Sequence, residues 1–190
     1  DKANYYISTN FQDLGSDQNY GNEDYKRYTF NSKINTKPFK WLDVNANIKY
    51  SRKDYQAPSY QMNQVYYHSM PRRRPSNPLY TPDGQFNKES QLNEIDHGGM
   101  YNEDLDIFYQ QVQLVFTPLK DWKIFAEGNF RIDRSEKHTD VQVILERKED
   151  GSYFPMDRDD GLGGRSYVRE ETGRTNYINP NIYTQYNKSF

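Results

Sequence analysis

Leu42-Asp43-Val44-Asn45-Ala46-Asn47-Ile48-Lys49-Tyr50-Ser51 alternates apolar and polar residues at every position. Successive side chains of a β-strand point to opposite faces. Leu42, Val44, Ala46, Ile48 and Tyr50 therefore share one side, and Asp43, Asn45, Asn47, Lys49 and Ser51 the other. A helical period would scatter both sets around the axis. The stretch also has the length of a tilted strand that crosses a bilayer, roughly 9–11 residues.

Five further stretches carry period two. Tyr5, Ile7, Thr9 and Phe11 oppose Asn4, Tyr6, Ser8, Asn10 and Gln12. Tyr28, Phe30, Ser32 and Ile34 oppose Arg27, Thr29, Asn31, Lys33 and Asn35. Phe108, Val112, Leu114 and Phe116 lie together, with Gln110 as a polar exception. Trp122, Ile124, Ala126, Gly128, Phe130 and Ile132 oppose Lys123, Phe125, Glu127, Asn129, Arg131 and Asp133. Ile178, Ile182, Thr184 and Tyr186 oppose Asn179, Asn181, Gln185 and Asn187. The pattern predicts strands near residues 4–12, 25–36, 41–51, 106–117, 122–133 and 176–188. Pro180 cannot donate to a ladder, so regular pairing of the sixth strand is expected only after it.

The connections alternate in length. Lys37-Pro38-Phe39-Lys40-Trp41 and Thr117-Pro118-Leu119-Lys120-Asp121 are tight turns, whereas 13–24, 52–104 and 134–175 read as long loops. Compact soluble domains rarely carry such loops without function. Bacterial outer-membrane barrels combine short periplasmic turns with long external loops. The expectation is an all-β, antiparallel up-and-down meander: six strands of a large transmembrane β-barrel with long extracellular loops. Strands one, three and five then run outward. Phe39, Trp41, Phe116, Trp122 and Tyr186 fall near the short-turn end, and Phe11, Tyr28, Tyr50, Phe108 and Phe130 near the long-loop end. Such paired aromatic girdles border the apolar band of a membrane barrel, although Tyr and Trp also favour strands in general.

Within the loops, residues 80–86 read as a turn, and residues 141–154 as a hairpin around Glu149-Asp150-Gly151-Ser152. Residues 60–69 read as a short helix ended by Pro71. The loops are expected to fold over the barrel mouth.

Composition agrees with a sheet wetted on one face. Apolar residues make up 34% of the 190, yet aromatics reach 16%, with 18 Tyr, 10 Phe and 2 Trp. Disorder depletes aromatics, so this is not a disordered chain. No run of about 18 apolar residues exists, which excludes a transmembrane helix but not barrel strands. The formal net charge of −2 supplies no nucleic-acid footprint. Cysteine is absent, ruling out disulfides and thiolate metal sites. Asp1-Lys2-Ala3-Asn4 does not read as a signal peptide, so the expectation is either a cytosolic protein or an interior piece of a longer precursor without a plug domain, and the strands favour the second.

The ordered segments resemble the SusC/RagA-like family of TonB-dependent outer-membrane transporters. The resemblance rests on 4–8 (Asn-Tyr-Tyr-Ile-Ser), 25–31 (Tyr-Lys-Arg-Tyr-Thr-Phe-Asn), 41–51, 77–84 (Asn-Pro-Leu-Tyr-Thr-Pro-Asp-Gly), 116–122 and 181–190. It implies a plugged barrel of about 22 strands. It further implies import of glycan or peptide fragments with a SusD-like surface lipoprotein as lid, energised by a TonB complex through regions absent here. The implied location is the cell outer membrane, in contact with lipid and lipopolysaccharide. The chain holds too few strands to close such a barrel and resembles an interior slice of one. The competing expectation is a soluble β-sheet carbohydrate-binding module, since two sheets can also bury their apolar faces against each other.

No catalytic, cofactor or metal constellation emerges, so no enzyme is expected. His68, His97 and His138 form no metal spacing, and no nucleophile elbow, P-loop or dinucleotide glycine pattern occurs. Residues 157–161 (Asp-Arg-Asp-Asp-Gly) lack the EF-hand spacing and terminal Glu, which leaves a solvated acidic turn. Arg72-Arg73-Arg74 is either an anion grip for lipopolysaccharide phosphate or a solvated run. Tyr66, Tyr67, Tyr80, Tyr101, Tyr153 and Tyr167 are open to two roles, ligand or lid contact and loop packing. The substrate-binding residues stay unknown.

Overall fold

The computed structural model describes residues 3–17, 19–60, 74–87, 92–147, 150–155 and 164–188. The protein is all-β, built on one antiparallel six-stranded meander. The elements are β1 (Ala3–Gly15), β2 (Asp24–Phe39), β3 (Leu42–Pro58), α1 (Leu92–His97), β4 (Met100–Leu119), β5 (Trp122–Val141), β6 (Leu145–Arg147), β7 (Tyr153–Pro155) and β8 (Tyr167–Tyr186). The large sheet runs β1-β2-β3-β4-β5-β8, and β6 and β7 pair separately.

The register keeps all six alternations in phase. Tyr5 faces Ile34, Ile34 faces Ala46, Ala46 faces Val112, Val112 faces Gly128 and Gly128 faces Pro180. One row along, Ile7, Ser32, Ile48, Gln110, Phe130 and Ile178 align in the same way. A slip of one residue in any strand would throw its aliphatic set onto the polar face.

Both short turns use one device. Each is a two-residue turn, Lys40-Trp41 or Lys120-Asp121, closed by the pairs Phe39–Leu42 and Leu119–Trp122. The register shifts between Thr36 and Phe39, and again between Phe116 and Leu119. Pro38 and Pro118 sit inside these irregularities, where the ladder is already interrupted and a missing N–H costs least. The turns tie to their neighbours: Thr117 N–H donates to the Trp41 carbonyl at 2.8 Å, and Asn187 N–H to the Asp121 carbonyl at 2.9 Å.

Three expectations need correction. The strands continue well past the apolar stretch at the long-loop end, so β3 reaches Pro58, β4 starts at Met100, β5 reaches Val141 and β8 starts at Tyr167. The connections shrink accordingly to residues 16–23, 59–99 and 142–166. Charged residues there stand on both faces of the extended backbone, and the cross-strand ion pairs Arg52–Asp104 and Lys53–Glu103 replace apolar packing. Pro180 does not delay the pairing of β8, which runs unbroken from Tyr167 to Tyr186 against β5. One absent donor does not interrupt so long a ladder, and β8 ends the described sheet, where proline is tolerated. His138 lies on β5 opposite Glu170 of β8, not in a loop.

The loops pack on one another beyond the strand ends. Tyr60, Ile95 and Ile144 form a small buried cluster with Tyr20 against it. Gly98 and Gly99 act as its clasp. The Gly99 carbonyl accepts from Ser59 N–H at 3.0 Å and the Gly98 carbonyl from Gln142 N–H at 2.8 Å. Gly99 has φ +100, and an added Cβ would stand 2.3 Å from the Asp140 carbonyl oxygen. Two of the expected loop features are present. Thr81 N–H donates to the Gln85 carbonyl at 2.8 Å between bridged Tyr80 and Phe86, and β6 pairs with β7 around Gly151. The helix expected over 60–69 falls outside the described residues after Tyr60. Helix α1, by contrast, was not expected.

Gly99→Ala should strain the clasp by about 1–3 kcal/mol. Hydrogen exchange should quicken at the Ser59 and Gln142 amides and stay unchanged in the β2–β3 ladder. Unchanged protection at Ser59 and Gln142 would contradict the clasp.

Candidate functional site

The feature on which a function can rest is the sheet's two-faced surface. One face carries the apolar rows from the Leu42–Phe116 pair to the Tyr50–Phe108 pair, across all six strands. It is open to its surroundings: Ile7 is 60% exposed, Ile178 70% and Ile182 80% on the outer strands, and Ile34 46% inside the sheet. A contiguous exposed apolar surface of this kind marks an interaction surface. From Leu42 to Tyr50 the strand rises about 26 Å, or about 20 Å in height at a tilt near 40°.

Aromatic rings border the belt at both ends. At the short-turn end Phe39 stacks on Trp41 at 5.2 Å and Trp41 lies 6.1 Å from Phe116. Trp122 faces Tyr186, and its indole N–H donates to Thr184 Oγ1 at 2.6 Å. At the long-loop end Phe11 packs on Tyr28 at 5.1 Å, and Phe108 meets Phe130 edge-on at 6.5 Å. Tyr50 leans its ring on the belt and donates its hydroxyl to Asp106 Oδ1 at 2.6 Å. Of the ten expected girdle residues, Tyr50 and Phe108 share the upper border row and Phe11 and Tyr28 stand one row beyond it beside Arg52, whereas Phe130 lies one row inside, level with Ile48.

Immediately past the second border the same face turns ionic. Arg52 pairs with Asp54 at 2.7 Å, Asp104 at 3.0 Å and Asp106 at 3.7 Å. Lys26 pairs with Asp24 at 2.6 Å. At this level the two faces exchange character. Leu105, Ile107, Tyr55 and Tyr101 stand on the other side, where Tyr55 meets Tyr101 at 6.2 Å and Lys53 at 5.4 Å. The arginine–aspartate set was missed from sequence because residues 52–58 and 100–104 read as loop. The available signal was charge at every second position, at 52 and 54 and again at 104 and 106.

Along the belt's level the reverse face is a lattice of amides and hydroxyls. Asn45 Nδ2 donates to Gln113 Oε1 at 2.9 Å, Asn31 Nδ2 to Ser8 Oγ at 3.2 Å and Tyr109 OH to Asn129 Oδ1 at 3.0 Å. A shallow depression of about 200 Å³ lies among Lys33, Asn35, Asn45, Asn47, Gln111 and Gln113. These groups can donate and accept but hold no nucleophile with an adjacent base.

Of the loop tyrosines, Tyr80 is a packing residue. It stacks on Phe86 at 5.3 Å and shares a 2.9 Å hydrogen bond with the Tyr20 hydroxyl, which raises its pKa above the ordinary phenol value. Tyr101 and Tyr167 belong to strands and Tyr153 to β7, while Tyr66 and Tyr67 fall outside the described residues. So do His68, Arg72, Arg73 and residues 157–161. Among the described residues no group of three or more His, Cys, Asp or Glu is placed to hold a metal ion. No described helix is long and apolar enough to cross a membrane. No known family model matches the sequence, and comparison with curated proteins returns no match either.

Tyr50→Phe should cost about 1 kcal/mol, because it leaves Asp106 with Arg52 alone. Tyr186→Phe at the other border should stay within about 0.5 kcal/mol, since its hydroxyl has no partner among the described residues. Urea unfolding of both variants checks this. Equal effects would contradict the role given to the Tyr50 hydroxyl.

Proposed function

We propose that the chain forms consecutive strands in the wall of an outer-membrane β-barrel. The parent is read as a SusC-like, TonB-dependent importer of glycan or peptide nutrients, working with a SusD-like surface lipoprotein. The observation that carries the membrane assignment is the in-phase apolar belt, exposed across six strands and bordered by aromatics at both ends. A lipid-exposed barrel wall carries an apolar band about 25 Å tall with aromatic girdles, and the belt, about 20 Å tall from border row to border row, is close to that height. The reverse face, rich in Asn and Gln, suits a hydrated lumen or a plug surface. Two tight turns at one end and packed loops at the other match short periplasmic turns and long external loops. The importer assignment rests on the segment resemblance from Asn4 to Phe190, and uptake is a property of the whole parent rather than of this slice.

The parent should pellet with outer membranes and require detergent for extraction. Ile48→Arg should destabilise it by roughly 2–4 kcal/mol if Ile48 lies near the bilayer midplane, and Asn47→Arg far less. Detergent-to-bilayer folding titrations of the two variants provide the measurement. Similar losses at both positions would contradict a lipid-facing Ile48. Deleting the parent should abolish uptake of one oligosaccharide or peptide class in a labelled-nutrient panel; an unchanged panel would contradict the importer assignment.

A further inference from the structure

Lys33 of β2 and Lys49 of β3 are exposed on the polar face, one diagonal apart in the register. Diagonal neighbours of a sheet lie roughly 7–8 Å apart, so the two ammonium groups can converge on one point between them. Both strands are paired on each side, and the surroundings of the lysines are therefore complete on this face. Tyr6 and Asn47 stand directly opposite Lys33, and Asn31 and Tyr109 opposite Lys49. Every diagonal and same-strand neighbour on this face is also uncharged, apart from the other lysine. Neither ammonium has an ion-pair partner among the described residues. Elsewhere on the same face Lys53 pairs with Glu103 and Arg131 with Asp133, each at 2.8 Å. Two like charges this close repel, and an anion between them removes the repulsion.

The surface around the pair narrows the anion. Lys33 borders the depression of about 200 Å³, whose other lining side chains are mainly amides. The three rows that start at Asn4, Tyr6 and Ser8 on β1 carry no aliphatic side chain across all six strands. They offer amides, hydroxyls and tyrosine rings, which suit a ligand with hydroxyl groups on every unit. A peptide of mixed sequence would find no seat for its apolar side chains there. The one carboxylate in these rows, Glu127 on β5, accepts from Gln111 Nε2 at 2.5 Å and lies two strands from Lys49. We propose that Lys33 and Lys49 bind the carboxylate of an acidic oligosaccharide, so that the parent selects acidic over neutral glycans. The proposal rests on the importer reading above and narrows its substrate. Asn31 and Asn47 fill the other two corners between the lysines and hold the hydroxyls that flank the carboxylate. Charge-assisted hydrogen bonds from both lysines supply the preference, as complementary charge governs which ligand is accepted.

The test measures binding to the intact parent in detergent by calorimetry, with a panel of uronate tetrasaccharides, their neutral methyl esters and a tetraglutamate peptide. Wild type should bind at least one acid about tenfold or more tightly than its ester, and added salt should shrink that preference. Lys33→Gln with Lys49→Gln should remove about tenfold or more of it, the scale of losing charge-assisted hydrogen bonds. Lys26→Gln should leave it unchanged, since Lys26 pairs with Asp24 on the other face. Should the double variant fail to fold, each single variant should still lose the preference several-fold. Equal binding of every acid and its ester overturns the site, and the importer reading stands if the parent still takes up an oligosaccharide in cells. A parent found freely soluble overturns both. A preference that survives in the double variant, with lower thermal stability, makes the lysines contacts of the parent's own interior and overturns the site. A loss as large in Lys26→Gln traces the preference to net charge and overturns it too. Lysine-dependent binding of tetraglutamate as tight as that of any uronate overturns the oligosaccharide as occupant.

Discussion

Every feature of this protein depends on register. Six separate alternations would give six unrelated half-apolar ribbons unless neighbouring strands held them in phase. The pairs Ile34–Ala46, Ala46–Val112 and Val112–Gly128 do so at the middle of the sheet. The two tight turns set this phase locally. Each absorbs one residue next to a proline, at Pro38 or Pro118, and returns the chain with its aliphatic side on the same face. A bulge at either site that took up no residue would invert a whole strand.

The belt ends where the ladder does not. At Tyr50 and Phe108 the rows change from aliphatic to ionic, yet the backbone pairs on to Pro58 and Met100. Hydrogen bonding and side-chain polarity are thus decoupled, as expected if two solvents meet the outer face at different heights. Under the membrane assignment proposed above, only apolar side chains are cheap below the border, and water rewards Arg52, Asp54 and Asp104 above it. Apolar residues move to the other face at the same level, where Tyr55 meets Tyr101 and donates its hydroxyl to Glu23 of the β1–β2 loop at 2.8 Å. The small cluster of Tyr60, Ile95 and Ile144 continues that support, with the Gly98-Gly99 clasp fastening it to the end of β5.

The strand set, its antiparallel order and both faces were legible from Leu42 to Ser51 and the five stretches like it, because period two survives without tertiary information. Tyr50 and Phe116 were legible for the same reason, since each lies at the end of an alternating run. The upper strand halves were not. Their alternation is between charges and reversed apolar positions, so a search for a continuing greasy face stops at Tyr50. Pro180 misled because a missing donor was weighed without knowing how much ladder surrounded it. Helix α1 and the Tyr20–Tyr80 contact depend on loops folding against each other over long sequence separations, which local patterns do not encode.

The central claim is that one side of β3 meets hydrocarbon while the other meets water. It is tested most directly by spin labels placed singly at positions 43 to 50 of the parent in a bilayer, with collision rates read against oxygen and a water-soluble nickel complex. Oxygen access should peak at 44, 46 and 48 and fall at 45, 47 and 49, with the nickel profile in opposite phase. A flat profile, or oxygen peaks at the odd positions, would contradict the account.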